Sequence, residues 1–272
     1  MTPTEEAVTA VRQEFAIAAI GGPTAVLDYG GLRFVTDPTL DPPGDYGAYQ
    51  KLEGPAVAAP ALGDIDAVLL SHDLHADNLD RAGREFALRA PVILTGPKAA
   101  ARIGPPAIGL AEFAEHQLPG TRSLVRVTAV PAQHGPLDGE LDEAGNVNTE
   151  VSGFVLESDG LPTVYLSGDN AGIAPVVRIA ARFPRIEVAV LHCGAARVPA
   201  KNSGRALTLS AARAVDVTAL LDAAQVIPVH HRGWSIYSEG FDDLDREFTD
   251  AGLRSRLIPA PVGRWAIRRE IA

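Results

Sequence analysis

The densest group of metal-capable side chains is Ser71-His72-Asp73-Leu74-His75-Ala76-Asp77-Asn78, directly after the apolar run Ala67-Val68-Leu69-Leu70. Imidazole nitrogens and carboxylate oxygens two or three residues apart in one turn can converge on a single cation, which is how zinc and similar metals are held. The same octapeptide also reads as a solvated turn in which Asp77 or Asn78 caps a following helix. Three more donors stand just beyond apolar strands: His134 after Val127-Thr128-Ala129-Val130, Asp169 after Val164-Tyr165-Leu166, and His230 after Val226-Ile227-Pro228-Val229. A single strand-end His or Asp is more often a hydrogen-bonded structural residue than a ligand. Four such places in one chain point to a shared cation site.

These donors need strands to carry them. Thr24–Tyr29 and Leu32–Thr36 flank Gly30-Gly31 and predict a hairpin that ends at Asp37-Pro38. Residues 39–63, rich in Pro and Gly, predict a long surface loop, and loops of that length tend to be functional. A buried strand at 67–70, a helix at 79–89 and a strand at 91–95 follow βαβ grammar. The grammar returns with strand 188–191 and helix 209–221, then with strand Gln225–Val229 and helix 241–251. Strands without helices are expected at 124–130, 153–157 and 163–166. Alternation of antiparallel strands with βαβ units predicts two mixed sheets packed face to face with helices outside. A chain of 272 residues, 46% of them hydrophobic, can bury one large core, and a single globular unit over residues 1–272 is expected.

Charge narrows the partners. Against 34 Asp+Glu stand 24 Lys+Arg, a formal charge of -10, which repels phosphate backbones and favours a small-molecule substrate over nucleic acid. Cys193 is the only cysteine, so no disulfide can form within the chain, and this suits a reducing compartment. The start, Met1-Thr2-Pro3-Thr4-Glu5-Glu6, lacks the basic and apolar regions of a signal peptide, and no run of 18 apolar residues predicts a membrane span. A cytoplasmic protein without a membrane partner is expected. Neither a Gly-x-Ser-x-Gly elbow nor a phosphate-binding glycine loop is present, and Gly21-Gly22 reads as a turn.

In this order of features the sequence resembles the metallo-β-lactamase superfamily, and within it the hydrolases similar to ascorbate-6-phosphate lactonase. The features are Thr36-Asp37-Pro38, the loop from His72 to Asn78, His134, Gly168-Asp169 and Pro228-Val229-His230. The resemblance runs from about residue 17 to the end. It implies an α/β fold, a four-layer αββα sandwich with the site at one edge, and a metal-dependent hydrolase.

Carried over by position, the resemblance makes His134 the lone His ligand, Asp169 the carboxylate bridging two metals, His230 the final His ligand and Asp77 the loop Asp. The loop departs from the family pattern, because Asp73-Leu74 separate the two His and Asn78 stands where a last His belongs. Anchored on the strand end, His72 and His75 are the loop ligands; anchored on Asp77, Asp73 takes the first position. On this reading His72, His75 and His134 hold one metal, and Asp77, Asp169 and His230 hold a second or orient the nucleophile, with Asp77 as proton acceptor. Zinc suits the histidines, while the carboxylates and an amide also suit manganese. The implied reaction is hydrolysis of a lactone or phosphorylated ester by metal-activated water. The alternatives are a non-catalytic metal- or ligand-binding protein of this fold and a nuclease of the superfamily. His231, next to His230, and His192, beside Cys193, read as neighbours of the site. His116 reads as a surface residue in a polar helical stretch, and Arg232 with Trp234 and Tyr237 as a candidate contact for an anionic or ring-shaped substrate.

Overall fold

Fifteen strands carry the fold, as given by a computed structural model that describes residues 6–269. Residues 1–5, nearly all of the segment read for targeting, lie outside the described residues, as do 270–272. In chain order the first eight strands are β1 (Phe15–Gly21), β2 (Thr24–Tyr29), β3 (Leu32–Thr36), β4 (Gly44–Asp45), β5 (Gln50–Lys51), β6 (Ala67–Leu69), β7 (Ile93–Thr95) and β8 (Ala107–Gly109). The rest are β9 (Glu115–Pro119), β10 (Leu124–Pro131), β11 (Ser152–Glu157), β12 (Val164–Leu166), β13 (Val188–His192), β14 (Gln225–Val229) and β15 (Arg264–Arg269). The α-helices are α1 (Arg81–Ala87), α2 (Pro97–Ile103), α3 (Ile173–Arg182), α4 (Ala211–Leu221) and α5 (Phe241–Asp250).

One large sheet has the order β15-β1-β2-β3-β6-β7-β8, the other β14-β13-β12-β11-β10-β9, and β4 and β5 form a separate two-stranded ribbon. Side-chain alternation along a strand builds the layers. Phe15, Ile17 and Ala19 of β1 share the inner core with Val125, Val127, Phe154, Leu156 and Val190 of the facing sheet. Ala16, Ala18 and Ile20 point the other way, to the cluster that holds Phe86 and Ala87 of α1. Behind the second sheet, Val155, Tyr165 and Ala189 meet Val176 and Ile179 of α3, Val217 of α4 and Leu244 and Phe248 of α5. Two sheets with helices outside both are the αββα sandwich expected from the resemblance.

The hairpin forms as read: β2 and β3 pair with Tyr29 opposite Leu32, and Gly30 and Gly31 turn at φ 63° and 81°, values that glycine adopts without strain. Two local expectations are corrected. Helix α1 begins at Arg81, later than residue 79, and its cap is Asp80, whose side chain accepts from the Gly83 N–H at 2.7 Å. Neither Asp77 nor Asn78 is the cap, because a carboxylate directly before the helix meets the free N–H groups better. His116 lies in β9, paired with Val127 of β10, so strand pairing overrides the helical reading of its polar surroundings.

Strand direction brings the donors to one edge. β3 and β6 are parallel, and so are β12, β13 and β14. β10 is antiparallel to β11, which is antiparallel to β12, so β10 runs with β12. The carboxyl ends of β10, β12, β13 and β14 therefore share one side of the second sheet, and those of β3 and β6 share one side of the first.

Candidate metal centre

His72 follows β6 and is buried, with Nδ1 3.0 Å from Ser71 Oγ and Nε2 2.8 Å from His75 Nδ1. His75 is reached by a tight turn in which the Asn78 and Leu79 N–H groups both donate to its carbonyl. His134, beyond β10, puts Nε2 3.1 Å from the same His75 Nδ1. Its own Nδ1 lies 2.9 Å from the Leu207 carbonyl. A carbonyl only accepts, so Nδ1 carries the proton and Nε2 presents a lone pair to the cluster. Burial, then the field of His75, lowers the His134 pKa to about 3, and burial followed by His75 and His134 takes His72 well below the ordinary range. Both rings are neutral at pH 7, the form a metal takes.

Asp77, Asp169 and His230 form a second, fully buried group. His230 Nε2 is 3.2 Å from Asp77 Oδ2 and 3.3 Å from Asp169 Oδ1. The other Asp169 oxygen lies 3.8 Å from His134 Nε2, so this carboxylate reaches both groups. Burial would raise the Asp77 carboxyl, but the hydrogen bond and charge of His230 outweigh it and the net direction is down. Burial and then the Asp77 carboxylate push Asp169 well up.

The donor set fits a cation. In each group the three ligand atoms lie within 4.8 Å of one another. Zinc–nitrogen bonds of ~2.0–2.1 Å in a tetrahedron set nitrogens ~3.3 Å apart, close to the 2.8 and 3.1 Å seen among the histidines. Two carboxylates excluded from water need a compensating positive charge.

Backbone shape aims these groups. Asp37 and His230, at strand ends, hold φ of 34° and 57°, left-handed values that cost a non-glycine residue strain. Gly168, before Asp169, has φ 54°, and a Cβ there would lie 2.7 Å from the Ser152 carbonyl. A Cβ on Gly194 would lie 2.2 Å from the His230 carbonyl, so that position has room only for glycine.

Other residues read from the sequence fall outside both groups. Asp73 turns to α2, where both its oxygens take the Arg102 guanidinium, one pair at 2.9 Å. The alignment that made Asp73 a ligand is therefore corrected, since an arginine already holds that carboxylate. Asn78 is buried against the second group and its Nδ2 donates to Asp169 Oδ1 at 3.0 Å. His192 Nε2 meets Asp37 Oδ2 at 3.1 Å, and its ring lies 5.2 Å from that of His230. His231 is half-buried with its ring 6.3 Å from Phe241. Arg232 pairs with Glu53, and Trp234 is buried beneath Tyr46 and Tyr49. The Tyr237 ring lies tilted against that of His230 with centroids 4.3 Å apart, and its buried hydroxyl has no partner among the described residues.

Asp37 is the residue that ligand spacing missed. One oxygen accepts from the Ser71 N–H at 2.6 Å and the other meets His192, which ties the ends of β3, β6 and β13 together. The signal was its place at the end of β3 before Pro38.

The family model described as "Beta-lactamase superfamily domain" matches residues 32–231, a span that contains every one of these donors. The chain belongs to this superfamily. Its fold is shared with isothiocyanate hydrolase from Delia radicum gut bacteria, at TM-score 0.76 and 22% identity over 92% of this chain and 97% of that one. It is shared equally with a structure from Veillonella parvula described as a possible metal-dependent hydrolase, at TM-score 0.77 and 17% identity over 92% and 98%. Among curated sequences, an uncharacterised protein of Mycobacterium bovis is 41% identical over 68 residues, 24% of this chain. That match spans 18% of the relative's length. No helix among the described residues is long and apolar enough to cross a membrane.

Proposed function

We propose that this chain hydrolyses a small-molecule lactone or phosphorylated ester, with His72, His75 and His134 holding one divalent cation and Asp77, Asp169 and His230 a second. The observation that carries this reading is the pair of three-donor groups joined by Asp169, whose two oxygens face His230 and His134. A bound cation supplies an acidified water and polarises the oxygen of the scissile bond. Zinc is the first choice for the histidine group, and manganese also suits the group with two carboxylates.

The protein's own residues do the rest. The Leu207 carbonyl fixes the His134 tautomer, and Asn78 donates to Asp169 and keeps that carboxylate turned toward both groups. Asp77, held ionised by His230, accepts a proton from the attacking water. Burial of the donors keeps bulk water out, so the fixed charges act at short range in a medium of low polarity. The half-buried His75 leaves an approach for substrate, beside Ala76, Tyr49 and Tyr237. A lactone-like branch of the superfamily fits the order of motifs, and the charge of -10 favours a small molecule in the cytoplasm over a nucleic acid.

The test is metal analysis of protein purified without chelator, followed by turnover on lactones, phosphomonoesters, phosphodiesters, thioesters, amides and isothiocyanates. The last class enters because isothiocyanate hydrolase shares the fold. Metal-dependent turnover of a lactone or phosphorylated ester supports the proposal. A metal-loaded protein inert on every class supports a non-catalytic binding role, and turnover confined to nucleic acid supports a nuclease.

A further inference from the structure

Beyond His134 and Asp169 lies a recess of about 690 Å³, within the range of sites for small organic molecules. Three guanidiniums, Arg197, Arg205 and Arg213, line it against one carboxylate, Asp138, which pairs with Arg205 at 2.7 Å. Arg197 and Arg213 have no ion pair among the described residues. Arg197 donates to Ser238 Oγ and the Gly204 carbonyl, and Arg213 to the Ala171 carbonyl. Neutral acceptors orient these two cations without cancelling them. In a chain of net charge -10, an uncompensated pair of arginines in a concave wall marks an anion site.

The backbone adds to the same field. The first turn of α3 lines the recess through Gly172, Ile173 and Ala174, and the Gly172 cap position offers no side chain to its free N–H groups. Ser210, the cap of α4, lines it too, but there the Glu239 carboxylate already takes the Ala211 N–H at 2.6 Å. The amino end of α3 therefore adds partial positive charge to that of the arginines.

The recess adjoins the metal centre through the chain itself. Ala171 is two residues from Asp169 and Gln133 is next to His134, and both line the recess, so its wall lies within ~8 Å of those ligands by Cα spacing. Ala206 and Thr208 line it as well, and they flank Leu207, whose carbonyl orients His134.

We propose that this recess binds the acidic end of the substrate, a phosphate or carboxylate group, with Arg197 and Arg213 as its principal contacts. This deepens the hydrolase reading and rests on it: the substrate is a small organic anion, and among the two classes proposed it is one bearing an acidic group remote from the scissile bond.

The probe is inorganic phosphate, titrated calorimetrically into the metal-loaded full chain and into the Arg197→Met/Arg213→Met variant. Binding in the wild type, at least tenfold weaker in the variant at equal metal content, is the expected result. Equal affinity in both, or no binding at millimolar phosphate, overturns the site. If the double variant unfolds, Arg197→Glu, on the exposed rim, must weaken phosphate binding in the same way. Kinetics separate the two sources of such an anion. Phosphate that competes with an acidic substrate while sparing an uncharged ester supports the substrate role, whereas equal, non-competitive change in both marks a free effector and overturns it. Loss of the hydrolase reading would appear as absent turnover with phosphate binding still sensitive to Arg197 and Arg213.

Discussion

At the scale of single residues, the site depends on one carboxylate and the amide behind it. Asp169→Asn removes the charge shared between the two groups while keeping the shape. The second cation should be lost and turnover should fall by more than ~100-fold, because fixed charge at the reacting centre is the main source of rate. The unfolding midpoint should move little, since burial already drives this carboxyl toward its neutral form in the metal-free chain. Metal analysis with steady-state kinetics checks this, and unchanged metal content would reject the role of Asp169. Asn78→Ala tests the layer behind it. Loss of the donor to Asp169 should weaken the second cation about 10- to 100-fold while leaving the histidine group alone, as measured by stepwise metal titration. Most of the donors were legible in the sequence because each follows an apolar strand. The choice between His72 and Asp73 was not, because it depends on Arg102, 29 residues further along the chain. Asp37 reads only as a hairpin end, for its partner His192 is 155 residues distant and spacing rules are local.

At the scale of elements, the loop over residues 39–63 and helix α1 are held by one side chain. Asp80 caps α1, accepts from the Leu40 and Asp41 N–H groups at 2.9 and 2.8 Å, and pairs with buried Lys51 at 2.8 Å. Asp80→Ala leaves an ammonium buried without its partner and should cost about 3–5 kcal/mol of stability, read from urea unfolding. Metal content per folded molecule should stay the same, because Asp80 touches none of the six donors; an effect on metal alone would contradict this. Periodicity shows the hairpin and the βαβ units. It did not give β1, β15, α2 or α3. β1 and β15 pair across nearly the whole chain, Phe15 opposite Arg269, a closure that no local pattern encodes. Helix α3 does carry a local signal, an apolar stripe with Val176 and Ile179 facing the core.

At the scale of the molecule, packing three histidines where water cannot reach, with His75 half-buried beside them, makes the metal-free chain sensitive to acid. The His134 pKa is lowered to about 3, mainly by burial, and those of His72, His75 and His230 are lowered too. A histidine whose folded pKa is depressed contributes stability that is fully present above the unfolded value of ~6.5 and is lost as pH falls toward the folded value. By pH 5, His134 alone should cost about 2 kcal/mol, so the urea midpoint of chelator-treated protein should drop steeply from pH 7 to pH 5. A flat profile there would mean that these rings are hydrated. Six side chains gathered from four strand ends are proposed here to hold the cations that serve hydrolysis. The most direct test is turnover of a lactone or phosphorylated ester by chelator-treated protein as zinc or manganese is added back in measured equivalents. Activity should be negligible without metal and should rise to saturate at one or two equivalents per chain. Turnover indifferent to chelation, or no activity at full metal occupancy, would contradict it.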